Sequence, residues 1–183
     1  MGEFLTVWIG LLRGVNVGGN KMIAMAELRA SLAGLGLRNP RTLLQSGNIV
    51  FESPRKHDAL EKLLEAHTEK TFGLKTRYLL RSHAEWDAIA AGNPFAALAK
   101  SDPNRLLVFL LKDKAPSSAF KALEAAISGR ETIHGAGRHL YATFPDGIAR
   151  TKLTTALMDR HLGTACTGRN WNTVLKLAAL AAV

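Results

Sequence analysis

The stretch Thr6-Val7-Trp8-Ile9-Gly10-Leu11-Leu12, running straight into Arg13-Gly14-Val15-Asn16-Val17-Gly18-Gly19-Asn20-Lys21, decides how the chain is read. Its first seven residues are mostly apolar and predict a strand. Trp8, Ile9, Leu11 and Leu12 are apolar at successive, not alternating, positions. Neighbouring side chains on a strand face opposite ways, so this strand wants cover on both faces. The glycine-rich segment after it reads as a loop. It leads to a helix on which Met25, Leu28, Leu32 and Leu35 recur at helical spacing, with Gly36 placed to end it.

Outward from that start the pattern continues. Arg41 to Gln45 and Asn48 to Glu52 read as two strands joined through Ser46-Gly47. Leu60, Leu63, Leu64 and His67 form a second helical stripe ended by Gly73, and Thr76 to Leu80 is a fourth strand. Ser82-His83-Ala84-Glu85 is a capping box that opens a short helix carrying Trp86, Ile89 and Ala90. The segment from Asn93-Pro94-Phe95 to Asn104 reads as a junction. The second half then repeats the order without repeating the sequence. Leu106 to Leu111 is a strand, and Phe120, Leu123 and Ile127 mark a helix. Glu131 to His134 and His139 to Phe144 pair across Gly135-Ala136-Gly137. Thr151 caps a helix stopped by Gly163, Thr164 to Thr167 is a short strand, and Asn172 caps a final helix.

Each half therefore reads as β-α-β-β-α-β. The expected fold is α+β: two tandem ferredoxin-like lobes packed together, with extra helices after each lobe. The expected domains are 1–95, holding the glycine-rich loop, and 96–183, holding the terminal helix.

The chain has 183 residues, 47% of them hydrophobic and 21% charged, enough to build a core and against disorder. No apolar run approaches the roughly 20 residues needed to cross a bilayer, so no membrane partner is expected. No secretory leader is evident, and the lone Cys166 excludes an internal disulfide, so the expected location is the cytoplasm. The formal charge is +9 and the pI is near 10.1. Residues 1–95 carry 12 basic and 9 acidic side chains, and residues 96–183 carry 12 and 6. This excess favours an anionic partner, a nucleic acid or a phosphorylated small molecule, although solubility alone also explains it. It leaves the oligomeric state open.

Two clusters carry candidate chemistry. In the first, Gly14, Gly18 and Gly19 let backbone N–H groups turn toward a concavity suited to an anion. Arg13 and Lys21 bracket it, and Asn16 sits within it. Gly14 and Gly19 have the Walker A separation, but Asn20-Lys21-Met22 replaces the Gly-Lys-Ser/Thr that a magnesium-nucleotide loop needs. In the expected topology Gln45-Ser46-Gly47-Asn48 lies at the same end of the sheet, roughly 10 Å away. Gln45, Ser46 and Asn48 then converge with the glycine loop, to hold a ligand or only to tie the loops together. The second cluster is Arg169-Asn170-Trp171-Asn172. A guanidinium, two carboxamides and an indole can stack on and hydrogen-bond a base, or can be core and cap residues. The six histidines are scattered without metal or triad spacing, so no metal and no cofactor is expected, and no catalytic residue is identified.

At these same segments the chain resembles a bacterial family, domain of unknown function 1697. The resemblance rests on Leu11 to Gly19, Met25-Ala26-Glu27-Leu28-Arg29, Gln45 to Phe51, Asn93-Pro94-Phe95, and Arg169 to Lys176. It implies two ferredoxin-like lobes and supplies no reaction, substrate or catalytic residue. Three functions compete. One is binding of a nucleic acid or nucleotide-like anion. A second is an enzyme acting on a small anionic metabolite between the lobes, and a third is an assembly module whose motifs are structural. An RNA-binding sheet of the usual plait kind needs Trp8 and Phe51 exposed on the open face.

Overall fold

A computed structural model of the chain describes residues 4–19 and 22–183. The chain is α+β. It divides into two compact units, Met1–Ala88 with Leu177–Val183, and Ile89–Lys176.

The first unit runs β1 (Thr6–Leu12), α1 (Met25–Gly34), β2 (Arg38–Leu43), β3 (Asn48–Ser53), α2 (His57–Phe72) and β4 (Tyr78–Ser82). Its four strands lie in the order β2-β3-β1-β4, and every neighbouring pair is antiparallel. One face of β1, β3 and β4 gives Leu12, Ile49, Phe51, Tyr78 and Leu80 to a core completed by Leu28, Leu32, Leu60 and Leu64 of the helices. Ile9, Leu11, Val50 and Leu79, on the opposite face, are equally buried. The successive apolar residues of β1 therefore lie under cover on both faces, as their pattern requires.

The free edge of β4 is closed by α2. His57, Glu61 and Glu65 recur every four residues and so share one helix face. Glu65 accepts the Tyr78 N–H at 3.0 Å, Glu61 accepts the Leu80 N–H at 3.0 Å, and His57 Nε2 lies 3.2 Å from the Leu80 carbonyl. Edge groups that would otherwise pair with another chain are satisfied within the unit. Glu61 is buried for this reason and not for chemistry.

Two helices follow, α3 (His83–Ala91) and α4 (Ala96–Ser101). The capping box opens α3: Ser82 N–H donates to Glu85 Oε2 at 2.7 Å, and Glu85 N–H to Ser82 Oγ at 3.3 Å.

The second unit contains β5 (Leu106–Ala115), α5 (Ser117–Ala126), β6 (Thr132–Thr143), α6 (Thr155–Leu162), β7 (Cys166–Asn170) and the start of α7 (Trp171–Ala181). Its strands are ordered β6-β5-β7. β6 is continuous in strand conformation but cannot be one straight strand, since 12 residues would span roughly 40 Å. Instead the Thr132 and Thr143 hydroxyls lie 2.6 Å apart, and the His134 and Tyr141 rings are 6.4 Å apart. The run doubles back at Gly137, whose φ is +65°, as the two short strands expected there. The Asp159 carboxylate on α6 accepts the Cys166 N–H of the edge strand β7 at 2.9 Å, the same edge-closing device as in the first unit.

Two expectations are corrected. Thr154, not Thr151, caps α6, accepting the Leu157 N–H at 3.2 Å. The Thr151 hydroxyl is instead held by Glu131. Asn170, not Asn172, caps α7 through the Thr173 N–H at 3.0 Å.

Candidate functional site

The loop after β1 is built around one carboxamide. Asn16 Nδ2 donates to the Ile23 carbonyl at 3.0 Å and to the Gln45 carbonyl at 2.8 Å, while its Oδ1 accepts the Ile23 N–H at 2.7 Å. The first and third bonds close the loop on itself. The second ties it to the turn between β2 and β3. Asn16 has a φ of 58°, a conformation asparagine tolerates better than most residues.

Other bonds fix the same end of the sheet. Leu12 N–H donates to the Gly47 carbonyl at 2.8 Å, and Arg13 N–H to the Arg77 carbonyl at 3.0 Å. The Thr76 hydroxyl donates to the Arg13 carbonyl at 2.7 Å. Asn48 is fully buried, and its Nδ2 reaches the Leu43 carbonyl at 2.8 Å and Ser46 Oγ at 2.9 Å. Arg13, Gly14, Asn16, Gly18, Gly19, Gln45, Ser46 and Asn48 thus meet at one end of the first sheet. Of these, Asn16 and Asn48 spend their side chains on backbone carbonyls.

Gly14, Gly18 and Gly19 are exposed and have φ values of 65°, 59° and 80°. A Cβ at any of them would meet nothing within 4 Å. Backbone conformation, not packing, is what asks for glycine here. Around them Val17, Met22 and Leu44 are among the exposed large hydrophobic side chains. The expected bracket Lys21 lies outside the described residues.

The second cluster is arranged differently. Arg169 and Trp171 are buried, at 8% and 6% exposure. Arg169 Nη1 donates to Thr167 Oγ1 at 3.0 Å and to the Gly168 carbonyl at 2.8 Å, and burial lowers its pKa to about 10. Asn170 is the α7 cap, and Asn172 Nδ2 reaches Asn104 Oδ1 at 3.3 Å. The indole of Trp171 is not a surface on which a base can stack. Trp8 and Phe51, the aromatics an RNA-binding sheet would display, are 7% and 0% exposed.

The sequence reading did not single out a cleft of about 240 Å³ at the open end of the β6 hairpin, whose lining includes Ser128, Glu131, Asp146, Arg150, Thr151 and Lys152. The signal was available. Ser128-Gly129 and Asp146-Gly147 flank the hairpin on either side, so its register alone brings them together. Among the described residues no group of three or more His, Cys, Asp or Glu is placed to hold a metal ion. No helix among them is long and apolar enough to cross a membrane.

The chain thus joins two small α+β units, the first carrying a glycine loop pinned by Asn16. The chain belongs to the family described as protein of unknown function (DUF1697), whose model matches residues 5–141. No curated protein matches it. Among solved structures it is similar to the conserved bacterial protein SP0830 from Streptococcus pneumoniae, at 23% identity and a TM-score of 0.72, covering 97% of this chain and 99% of that one. That likeness is one of fold. A second structure, TA0507, provisionally assigned as a chlorite dismutase, has 11% identity over 96% of this chain and 98% of that one, with a TM-score of 0.26, too low to bear on function.

Proposed function

We propose that the chain is a binding protein for a nucleic acid or nucleotide-like anion, and that the ligand's phosphate is held at the loop from Arg13 to Gly19. The observation that carries this reading is the division of labour within the loop. Asn16 fixes its base by three hydrogen bonds, while its glycines stay exposed with no packing reason to be glycine. A preorganised loop with open backbone donors loses little entropy on binding an anion. The charge of +9 adds long-range attraction. Arg13 supplies the fixed positive charge at the loop's entrance.

The Arg169–Asn172 cluster has a smaller part in this reading than its composition implies, because its members are buried or used as caps. Ligand contact through loops is favoured over contact through the sheet, given the burial of Trp8 and Phe51. We also take each unit to be a ferredoxin-like plait, a reading supported by the β2-β3-β1-β4 order of the first and the doubled-back β6 of the second. The lone cysteine fits a cytoplasmic setting.

The test is fluorescence anisotropy of short labelled RNA and DNA at two salt concentrations, with the natural chain and a folded Arg13→Ala variant. Saturable binding that weakens steeply with salt and falls in the variant is expected. Absence of binding at low salt would leave the loop as a structural turn.

A further inference from the structure

We propose a second, separate binding site: the cleft at the open end of the β6 hairpin takes a small phosphomonoester whose organic part carries hydroxyl groups, of the sugar-phosphate kind. The proposal is independent of the glycine loop. It starts from the hairpin register. Because Thr132 and Thr143 are directly opposed, the segments flanking them run side by side and enclose about 240 Å³. That is several times the room a bare phosphate fills and less than a drug-sized ligand needs.

The charges in the cleft are sorted by what already holds them. Asp146 is engaged by Arg130, through an Nε–Oδ2 bond of 3.1 Å and a second contact between Nη2 and Oδ1. Glu131 Oε1 accepts the Thr151 hydroxyl, which in turn accepts the Leu153 N–H at 3.1 Å. Its other oxygen lies over the backbone of Gly129, where a Cβ would come within 2.2 Å of it. A side chain at 129 would displace the carboxylate, so glycine is what lets Glu131 lie across the cleft floor.

Arg150 and Lys152 also line the cleft. Neither has a hydrogen bond or an ion pair among the described residues. Asp146 is neutralised by Arg130, whereas Glu131 keeps its charge and has only Oε1 in a hydrogen bond among the described residues, so Arg150 and Lys152 leave the cleft with a net positive charge. Two cations flanking a hydroxyl-bearing wall suit a dianionic phosphate, which arginine binds with paired donors and lysine as a point charge. Glu131, acceptor-only when ionised, suits the hydroxyls of the attached organic group. Ser128 adds a hydroxyl at the rim.

Calorimetric titration of the full chain with ribose 5-phosphate, inorganic phosphate and ribose tests this. Ribose 5-phosphate is expected to bind saturably in the millimolar range or tighter, and more tightly than inorganic phosphate, with ribose not detected. Arg150→Ala with Lys152→Ala should weaken it by about tenfold or more, whereas Lys114→Ala with Lys121→Ala, an equal loss of charge elsewhere on the unit, should not. Glu131→Gln should narrow the gap between the sugar phosphate and inorganic phosphate. No saturable binding, or binding unchanged by the double substitution in a chain with native circular dichroism, would overturn the site. Equal affinity for ribose 5-phosphate and inorganic phosphate would overturn the assigned class of ligand.

Discussion

Asn16 is the residue on which the first unit's loop depends. Replacing it with alanine strips the Ile23 N–H and two carbonyls of their partners, and puts a poorly suited residue at positive φ. The expected cost is about 2–4 kcal/mol in urea denaturation. Asn16→Asp keeps the acceptor for Ile23 but turns a carboxylate toward two carbonyl oxygens, so it should be no milder. Leu44 presents the opposite case. It is half exposed and holds φ at 58°, which costs a side chain with a Cβ roughly 1 kcal/mol. Leu44→Gly should therefore leave stability unchanged or raise it by about that amount, measured the same way. A marked loss would mean that the leucine packs against something that its exposure does not reveal. His67 sets an acid limit. Burial first, and Lys70 second, lower its pKa from the ordinary 6.5, and its Nε2 is buried without a hydrogen-bond partner. The unfolded chain takes up this proton near pH 6.5 and the native chain resists it. The stability that neutral His67 contributes is thus full above that pH and is lost as pH falls below it. His67→Gln should flatten the decline in stability between pH 7 and 5, and an unchanged slope would place its cause elsewhere.

Among the elements, those with strong periodicity were legible in the sequence: β1 from its unbroken apolar run, α1 and α2 from their stripes, α3 from its capping box. Strand ends were less so. β2 starts at Arg38 and β4 reaches Ser82, because pairing partners, not local composition, decide where a strand stops. The caps of α6 and α7 were misplaced for a related reason. The segment 151–154 offers two threonines, and 170–172 two asparagines. Which of them accepts the helix N–H depends on where the preceding chain is anchored: Thr151 is occupied by Glu131, and Asn170 ends a paired strand. Edge closure by α2 was invisible in the sequence, where His57, Glu61 and Glu65 look like an ordinary solvated face. Glu61→Ala removes the acceptor of the Leu80 N–H and the 3.1 Å partner of His57. It should cost about 2–3 kcal/mol, while Glu61→Gln, which keeps an acceptor, should cost less. Equal losses in the two variants would show that charge, not the edge bond, is what Glu61 supplies.

For the whole molecule, the repeated order of elements was legible while the use made of its residues was not. The glycine loop and the Gln45–Asn48 turn do converge, since strand order places them at one end of the first sheet. Yet composition could not tell that Asn16 and Asn48 would be consumed by backbone carbonyls, or that Arg169 and Trp171 would be buried. The cleft beside the β6 hairpin emerged only from register. The net charge of +9 is spread over both units, so affinity for an anion does not by itself say where the anion sits. Localisation decides the matter. The most direct measurement is amide chemical-shift mapping of the isotope-labelled chain as a short RNA is added at low salt. The account predicts that the Gly14, Gly18, Gly19 and Gln45–Ser46 amides shift first and saturate together, and that higher salt reverses the shifts. Shifts confined to other surfaces, or none at all in this loop while RNA binds, would contradict it.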